Sequence, residues 1–239
     1  MTNDDFLQRT ALLYGSQRME RLEQARVLVV GVGGVGAWAA EMLCRAGIGH
    51  LTLLDADNVA PTNLNRQLCA LRSTLGQPKT EVLARRFADI NPQLELTLRT
   101  EFLTPESVEE VVTAQPYDFV VDAIDTIAPK VALLSWCLRH KLRVVSSMGA
   151  GAKTDLSLIR QTDLWQTYHC GLAKAVRHGL TAQGLRGRKL PVVFCAQQAD
   201  RRAVISIANE RNKKTTTGTV SYMPATFGCY LAAYVLEHL

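Results

Sequence analysis

Paired cysteines are missing from this chain. Its six cysteines, Cys44, Cys69, Cys137, Cys170, Cys195 and Cys229, never stand as Cys-x-x-Cys. That spacing excludes a zinc site built from cysteine pairs and a dithiol redox motif. Small thiols in a reducing compartment fit the pattern instead. The five histidines, His50, His140, His169, His178 and His238, show no metal-ligand spacing either. The uncharged run Val27–Ala40 is too short and too rich in glycine to cross a bilayer. The start, Met1-Thr-Asn-Asp-Asp-Phe6, is acidic and unlike a secretory leader, so the cytoplasm is the expected compartment and no membrane is expected as a partner. Internal repeats and low-complexity tracts are also absent.

What is present begins at Arg26-Val-Leu-Val-Val-Gly-Val-Gly-Gly-Val-Gly36. It reads as a buried strand, a glycine turn and a helix. Gly31, Gly33 and Gly36 fit a dinucleotide fingerprint, and Asp55 follows at the offset of a ribose-binding acid. The glycines admit a phosphate close to the backbone, and the helix start offers N–H donors. A Walker-type loop would need Lys-Ser/Thr after the last glycine; Ala37-Trp38 stands there. Chemistry on bound ATP is therefore expected at the α-phosphate rather than the γ-phosphate.

Strands are expected at Arg26–Gly31, His50–Asp55, Leu94–Thr100, Asp118–Ala123 and Arg143–Met148. Helical patterns fall between them, at Val35–Ala46, Lys79–Ile90, Glu106–Gln115 and Pro129–Lys141. This alternation predicts an α/β, Rossmann-like, doubly wound and mainly parallel sheet. The 239 residues suit one domain with three parts. Residues 1–24 form helices, 25–150 a nucleotide-binding core, and 151–239 an α+β extension facing the substrate. In that extension the pattern predicts strands at Ser157–Arg160, Pro191–Ala196 and Ala203–Ala208. A basic helix is expected near Cys170–Gly179, a turn at Lys214–Thr219 and a last helix near Ala225–His238.

Arg66 and Lys79 follow Asp55 within one βα unit, where fixed cations can reach a triphosphate and stabilise departing pyrophosphate. A redox Rossmann domain needs neither, so an NAD(P)-dependent oxidoreductase leaves them unexplained. Asp122 and Asp125 stand three apart at the end of an expected central strand, where ligands bind in open α/β sheets. Together they could hold Mg²⁺ on the phosphates, or Asp125 could cap the next helix. Charge is uneven as well. Trp165–Lys214 carries ten basic residues against two acids, in a chain of net charge +5. That excess is either a solvated face or a surface for a polyanion.

These residues resemble the superfamily of ubiquitin-activating enzymes and the bacterial HesA/MoeB/ThiF adenylyltransferases. The resemblance rests on Gly31-x-Gly33-Gly34-x-Gly36, Asp55-x-Asp57, Asn63-x-x-Arg66-Gln67, Gln77-Pro-Lys79 and Asp122-x-x-Asp125. It implies ATP-dependent adenylation of a carboxylate. Asp55 would hold the ribose, Arg66 and Lys79 the phosphates, and Asp125 Mg²⁺. The other motif residues, Asp57, Asn63, Gln67 and Asp122 included, would line the ATP site. It also implies a homodimer in which an arginine near the N-terminus reaches the other protomer's site. Arg9 sits at that offset, or is a surface residue of an amphipathic helix.

Within the superfamily, the chain is most similar to the tRNA threonylcarbamoyladenosine dehydratase family. The shared stretches include Leu13-Tyr-Gly15, Asp122-Ala-Ile-Asp-Thr-Ile-Ala-Pro-Lys-Val-Ala-Leu133, Gly149-Ala-Gly-Ala-Lys-Thr-Asp155 and Met223-Pro-Ala-Thr-Phe-Gly228. The implied reaction is ATP-dependent ring closure on the threonylcarbamoyl side chain of adenosine 37 in the tRNA anticodon loop. Its implied residues are Arg9, Arg66, Lys79 and Asp125. Lys174, Arg177, Arg186, Arg188 and Lys189 are then expected to form one tRNA-binding face beside the ATP pocket. The family leaves room for a sulfur-transfer partner protein. The alternative is an adenylyltransferase acting on the C-terminal carboxylate of a sulfur-carrier or ubiquitin-like protein, and the absent Cys-x-x-Cys pairs weigh against it. Some family members carry a cysteine where Val192 stands here, so a nucleophilic thiol is not expected.

Overall fold

The computed structural model describes residues 5–210 and 213–239. Apolar strand segments with little charge bury on both faces of the central sheet, as parallel strands flanked by helices require. Strands β1 (Arg26–Val30), β2 (His50–Leu54), β3 (Glu95–Arg99), β4 (Phe119–Asp122) and β5 (Val144–Ser147) come from the first part of the chain. The second part adds β6 (Ile159–Asp163) and β7 (Pro191–Cys195) to the same sheet. The strand order is β3-β2-β1-β4-β5-β7-β6. Among the described strands of this sheet β6 alone runs antiparallel, in register with β7 from Ile159↔Cys195 to Asp163↔Pro191. The order reverses between β1 and β4, which opens a crevice at their carboxyl ends.

Helices α1 (Gln8–Tyr14) and α2 (Ser16–Gln24) precede the sheet, and α3 (Gly36–Arg45), α4 (Lys79–Ile90) and α5 (Val108–Thr113) alternate with its first strands. Helices α6 (Ile127–His140) and α7 (Gly171–Ala182) follow, and α8 (Tyr222–His238) closes the chain. One core layer joins Val27, Val29, Val121 and Val145 to Ala37, Ala40 and Leu43 of α3 and to Met223, Phe227, Leu231 and Val235 of α8. The four α8 positions recur every fourth residue, which makes one stripe on the helix. The opposite layer joins Leu28, Val30, Val120 and Val192 to α5, α6 and α7.

The C-terminal part departs from the sequence expectations in detail. The strand expected at Ser157–Arg160 starts two residues later, because Asp155 accepts from the Ser157 N–H at 2.9 Å and winds Leu156–Leu158 into a 3-10 turn. The turn expected at Lys214–Thr219 is mostly strand β9 (Lys213–Thr217), paired antiparallel with β8 (Val204–Glu210). Its threonines are β-branched and favour an extended chain over a turn. Pro129 lies in the first turn of α6 rather than at its start, where its missing N–H costs nothing. No helix among the described residues is long and apolar enough to cross a membrane.

Candidate nucleotide and active site

The site is built on the carboxyl edge of the sheet. The glycine loop after β1 is held by sterics. A Cβ on Gly36 would lie 1.8 Å from the Gly31 carbonyl oxygen, so only glycine fits. Gly31 itself has φ +83°, and its position abuts the Ala123 carbonyl after β4. Added Cβ atoms would stand 3.7 Å from Gln67 Nε2 at Gly33, and 3.2 Å and 3.5 Å from Pro224 Cβ and Arg66 Cγ at Gly34. Arg66, Gln67 and the start of α8 therefore ring the loop.

Asp55, after β2, ties this loop to the next. Its Oδ2 accepts from the Val32 N–H at 2.8 Å and its Oδ1 from the Asp57 N–H at 2.9 Å. Lys79 opens α4 almost fully buried, with Nζ 2.8 Å from Asp57 Oδ2 and 3.9 Å from Asp55 Oδ1. Backbone bonds from Lys79 to Asp57 and from Val59 to Gln77 zip the two segments together. Burial pushes the Asp55 carboxyl above its ordinary range; Lys79 and the two N–H donors oppose the rise without cancelling it. Asn63 is buried and accepts from the Ala60 N–H at 3.0 Å, which shapes the turn before Arg66. The Arg66 guanidinium rests on the Thr62 carbonyl at 2.8 Å and Asn65 Oδ1 at 2.9 Å. Asp55, Arg66 and Gln67 thus border the glycine loop, Lys79 and Asp57 join Asp55 behind it, and Asn63 shapes the turn that leads to Arg66.

Asp122 and Asp125 do not form the expected pair of cation ligands. Asp122 is completely buried and takes Ser146 Oγ at 2.6 Å, Lys130 Nζ at 2.7 Å and the Ile124 N–H at 3.1 Å. Its carboxylate is committed beneath the loop, so it shapes the site without reaching a ligand. Lys130 also donates to the Ile124 carbonyl at 2.9 Å and so fixes the turn that carries Asp125. Asp125 is exposed, two residues beyond Ala123. The N-cap position of α6 belongs to Thr126, so Asp125 is not the helix cap. Sequence reading missed Lys130 and Ser146. The available signal was a lone lysine in the first turns of a helical stretch that carries no further charge until Arg139.

The remaining expected residues separate. Arg9 is exposed on α1. Leu7 and Met19 lie against Gly47 after α3, so the N-terminal helices cover the amino edge of the sheet, away from their own glycine loop. Helix α7 starts at the carboxyl edge, where Cys170 Sγ lies 3.5 Å from a Cβ placed on Gly149. It then runs back along the sheet for 12 residues, roughly 18 Å at 1.5 Å per residue. Only Lys174, in its first turns, stays exposed near the site. Arg177 donates to the Thr167 carbonyl at 3.0 Å and to Thr167 Oγ1, and acts as a structural pin. Arg186, Arg188 and Lys189 sit in the loop before β7 at the amino edge, tied there by Trp165 Nε1 bonding the Arg188 carbonyl at 2.8 Å. The expected single tRNA face of Lys174, Arg177, Arg186, Arg188 and Lys189 is therefore corrected: the antiparallel run of α7 splits it between two edges. Arg201 and Arg202, after β7, stand on the site's edge, since the Asp200 N–H bonds the Ala152 carbonyl at 2.9 Å beyond β5. Arg211 lies outside the described residues, as do the side chains of Lys213 and Lys214.

The model of the ThiF family matches residues 7–239. The chain belongs to the ThiF family. The tRNA threonylcarbamoyladenosine dehydratase of Escherichia coli K12 is 44% identical over 171 residues, 72% of this chain and 63% of that protein, so the matched stretch spans just under two thirds of it. The tRNA threonylcarbamoyladenosine dehydratase of Bacillus subtilis is 37% identical over 238 residues, 97% of this chain and 93% of that protein. A crystal structure of E. coli tRNA N6-threonylcarbamoyladenosine dehydratase in complex with ATP has a TM-score of 0.89 to this fold at 36% identity, covering 98% of this chain and 93% of that one. The ThiF-family assignment thus runs through the whole sheet, including β6, β7 and the hairpin after them.

Proposed function

We propose that this ThiF-family protein is an ATP-dependent tRNA threonylcarbamoyladenosine dehydratase. Likeness that continues through residues 151–239, beyond the nucleotide-binding core, is the observation that carries this reading. ATP fits the cradle, since a side chain on Gly36 would collide with backbone and Lys79 stands behind Asp57 at the loop. In the reaction, the threonyl carboxylate oxygen attacks the α-phosphorus of ATP and pyrophosphate leaves. A nitrogen of the same side chain then attacks the acyl carbon, its proton is lost, and AMP departs with the former carboxylate oxygen. The net change in the nucleoside is loss of one water. Arg66 and Lys79 hold the phosphates and stabilise the charge on pyrophosphate. Asp55 accepts from the ribose hydroxyls.

The donor set also fits Mg²⁺: Asp125 offers an exposed carboxylate on the loop whose Ala123 backs Gly31. Bound there, Mg²⁺ would neutralise phosphate charge. The working unit is a homodimer in which Arg9 serves the partner's site. Helix α1 supports this, because it buries none of its own residues and leaves Leu12 83% and Leu13 80% exposed. A sulfur-transfer partner protein stays compatible with the family, and the cytoplasm is the expected compartment.

The test is nucleoside mass spectrometry on threonylcarbamoyl-modified tRNA after incubation with the protein and ATP, handled so the ring is not reopened. A loss of one water that requires ATP is expected. Unchanged nucleoside, with adenylation of a carrier protein ending in Gly-Gly instead, would establish the alternative.

A further inference from the structure

We propose that Tyr168 and His169 form a stacking platform for a base of the RNA loop beside the nucleotide pocket. The proposal rests on the tRNA reading above. The two residues immediately precede Cys170, whose Sγ lies 3.5 Å from a Cβ placed on Gly149, after β5 at the carboxyl edge of the sheet. Strand β5 is two strand spacings from β1 in the sheet, about 10 Å. The Tyr168 ring packs on β7, one strand further out, so the platform flanks the glycine loop at a few strand spacings, where the nucleotides neighbouring the reacting one would lie.

The geometry is that of a built surface. Tyr168 is 46% exposed, yet its ring is fixed edge-on to the buried Phe194 of β7, with centroids 5.5 Å apart at 76°. The exposed His169 stands edge-on to Tyr168 at 5.2 Å and 79°. His169 has φ +51°, a left-handed conformation that a non-glycine residue adopts only when its surroundings impose it. Those surroundings are visible. Thr167 is buried, with its hydroxyl on the Leu164 carbonyl at 2.7 Å, and the Arg177 guanidinium clamps the carbonyls of Leu164 and Thr167 from α7. Folding thus holds two ring systems rigidly toward solvent, although neither completes the core. Single-stranded loops are read by this means, because every base offers a π-face to an aromatic side chain. Lys174, one turn along α7, and Arg201 on the same edge supply cations for the flanking phosphates, while the neighbouring Arg202 is paired with Asp200 at 2.8 Å.

The experiment compares Tyr168→Ala, Tyr168→Phe and His169→Ala in the full-length protein. Water loss from modified tRNA is measured, with ATP affinity by calorimetry. Tyr168→Ala should raise KM for tRNA about 10-fold or more, the scale of one lost base stack, and leave ATP affinity within about twofold. Tyr168→Phe should restore wild-type KM, and His169→Ala should fall between. An anticodon stem-loop carrying 2-aminopurine beside the modified position should change fluorescence on binding wild type and much less with Tyr168→Ala. Equal KM and equal fluorescence in Tyr168→Ala and wild type would overturn the platform. So would a matching loss of ATP affinity, which marks a merely structural role. If wild type removes no water from tRNA, the proposed reaction fails instead, and the fluorescent stem-loop still decides the platform by binding alone.

Discussion

At the residue scale, a buried carboxylate governs how the site responds to pH. Burial holds the Asp55 carboxyl above its ordinary range despite Lys79 nearby. A raised carboxyl takes up its proton at higher pH than an ordinary aspartate. ATP affinity should therefore fall on acidification from above the ordinary aspartate range, because a protonated Asp55 accepts poorly from ribose. Calorimetric titrations across that range check this, and Asp55→Asn should bind weakly throughout and lack the step. The same shift has an opposite sign for stability. The folded state binds that proton more tightly than the unfolded chain, so this contribution is present at low pH and is lost as pH rises through the raised value.

The thiols behave as packing groups. Burial pushes Cys44 and Cys137 up to about 12, which keeps them protonated at neutral pH. Cys195 is fully buried in β7, with its thiol toward the Asp155 carbonyl at 3.6 Å. Cys170 is half-buried at the N-cap of α7. Cys170→Ser and Cys195→Ser should each keep most of the activity, since the proposed ring-closing nucleophile belongs to the substrate. Initial rates of water loss check both, and a drop of about a thousandfold, the scale of a missing nucleophile, would point to a thioester mechanism.

At the element scale, the packing of α8 on α3 decides whether the glycine loop is walled in. A Cβ on Gly228 would come within 2.6 Å of both Trp38 Cβ and the Val35 carbonyl oxygen, and within 2.9 Å of the Ala39 nitrogen. Backbone at that distance cannot yield without moving the helices apart. Gly228→Ala should cost about 1–3 kcal/mol by overpacking. A Tm lower by roughly 2–4 °C per kcal/mol follows for a chain of this size. Pro224, one turn earlier on α8, packs on Gly34, so ATP affinity should fall as well. Scanning calorimetry with and without ATP separates the two effects. Most of these elements were legible, because buried parallel strands read as apolar runs and helices as a 3.6-residue repeat. Helix α4 begins and ends where its pattern placed it, at Lys79 and Ile90. The hairpin of β8 and β9 was half-read, since a threonine run signals both turn and strand until a pairing partner decides it.

At the scale of the whole molecule, the N-terminal helices and the nucleotide loop lie at opposite edges of one sheet. Arg9 stands away from its own pocket, and in the homodimer proposed above it would reach the partner's pocket instead. Arg9→Ala should stay folded and lose most activity. Mixing it with Asp125→Ala under subunit exchange should restore part, because one of the two sites in the mixed dimer is then intact. Activity of exchanged mixtures no higher than either variant alone would remove the trans role. The described basic residues between Lys174 and Arg202 divide in the same way. Charge-neutral changes at Arg201 and Arg202 should flatten the salt dependence of tRNA binding more than changes at Arg186, Arg188 and Lys189, and filter binding across a salt series distinguishes them.

Local chemistry was enough to locate the nucleotide cradle. Glycines that must avoid a clash, an acid one strand further on, and cations in the next turn are demanded by short-range geometry, and short-range geometry is written in spacing. The chain alone therefore determined the α/β layering, the glycine loop and the cluster of Asp55, Arg66 and Lys79. Only the tertiary structure decided which charges meet. It buried Asp122 against Lys130 and Ser146, left Asp125 exposed, parted Lys174 from Arg186 across the length of α7, and set Tyr168 against Phe194 of β7. Those outcomes depend on strand order and helix direction, which bring together residues far apart in sequence and separate residues that are near.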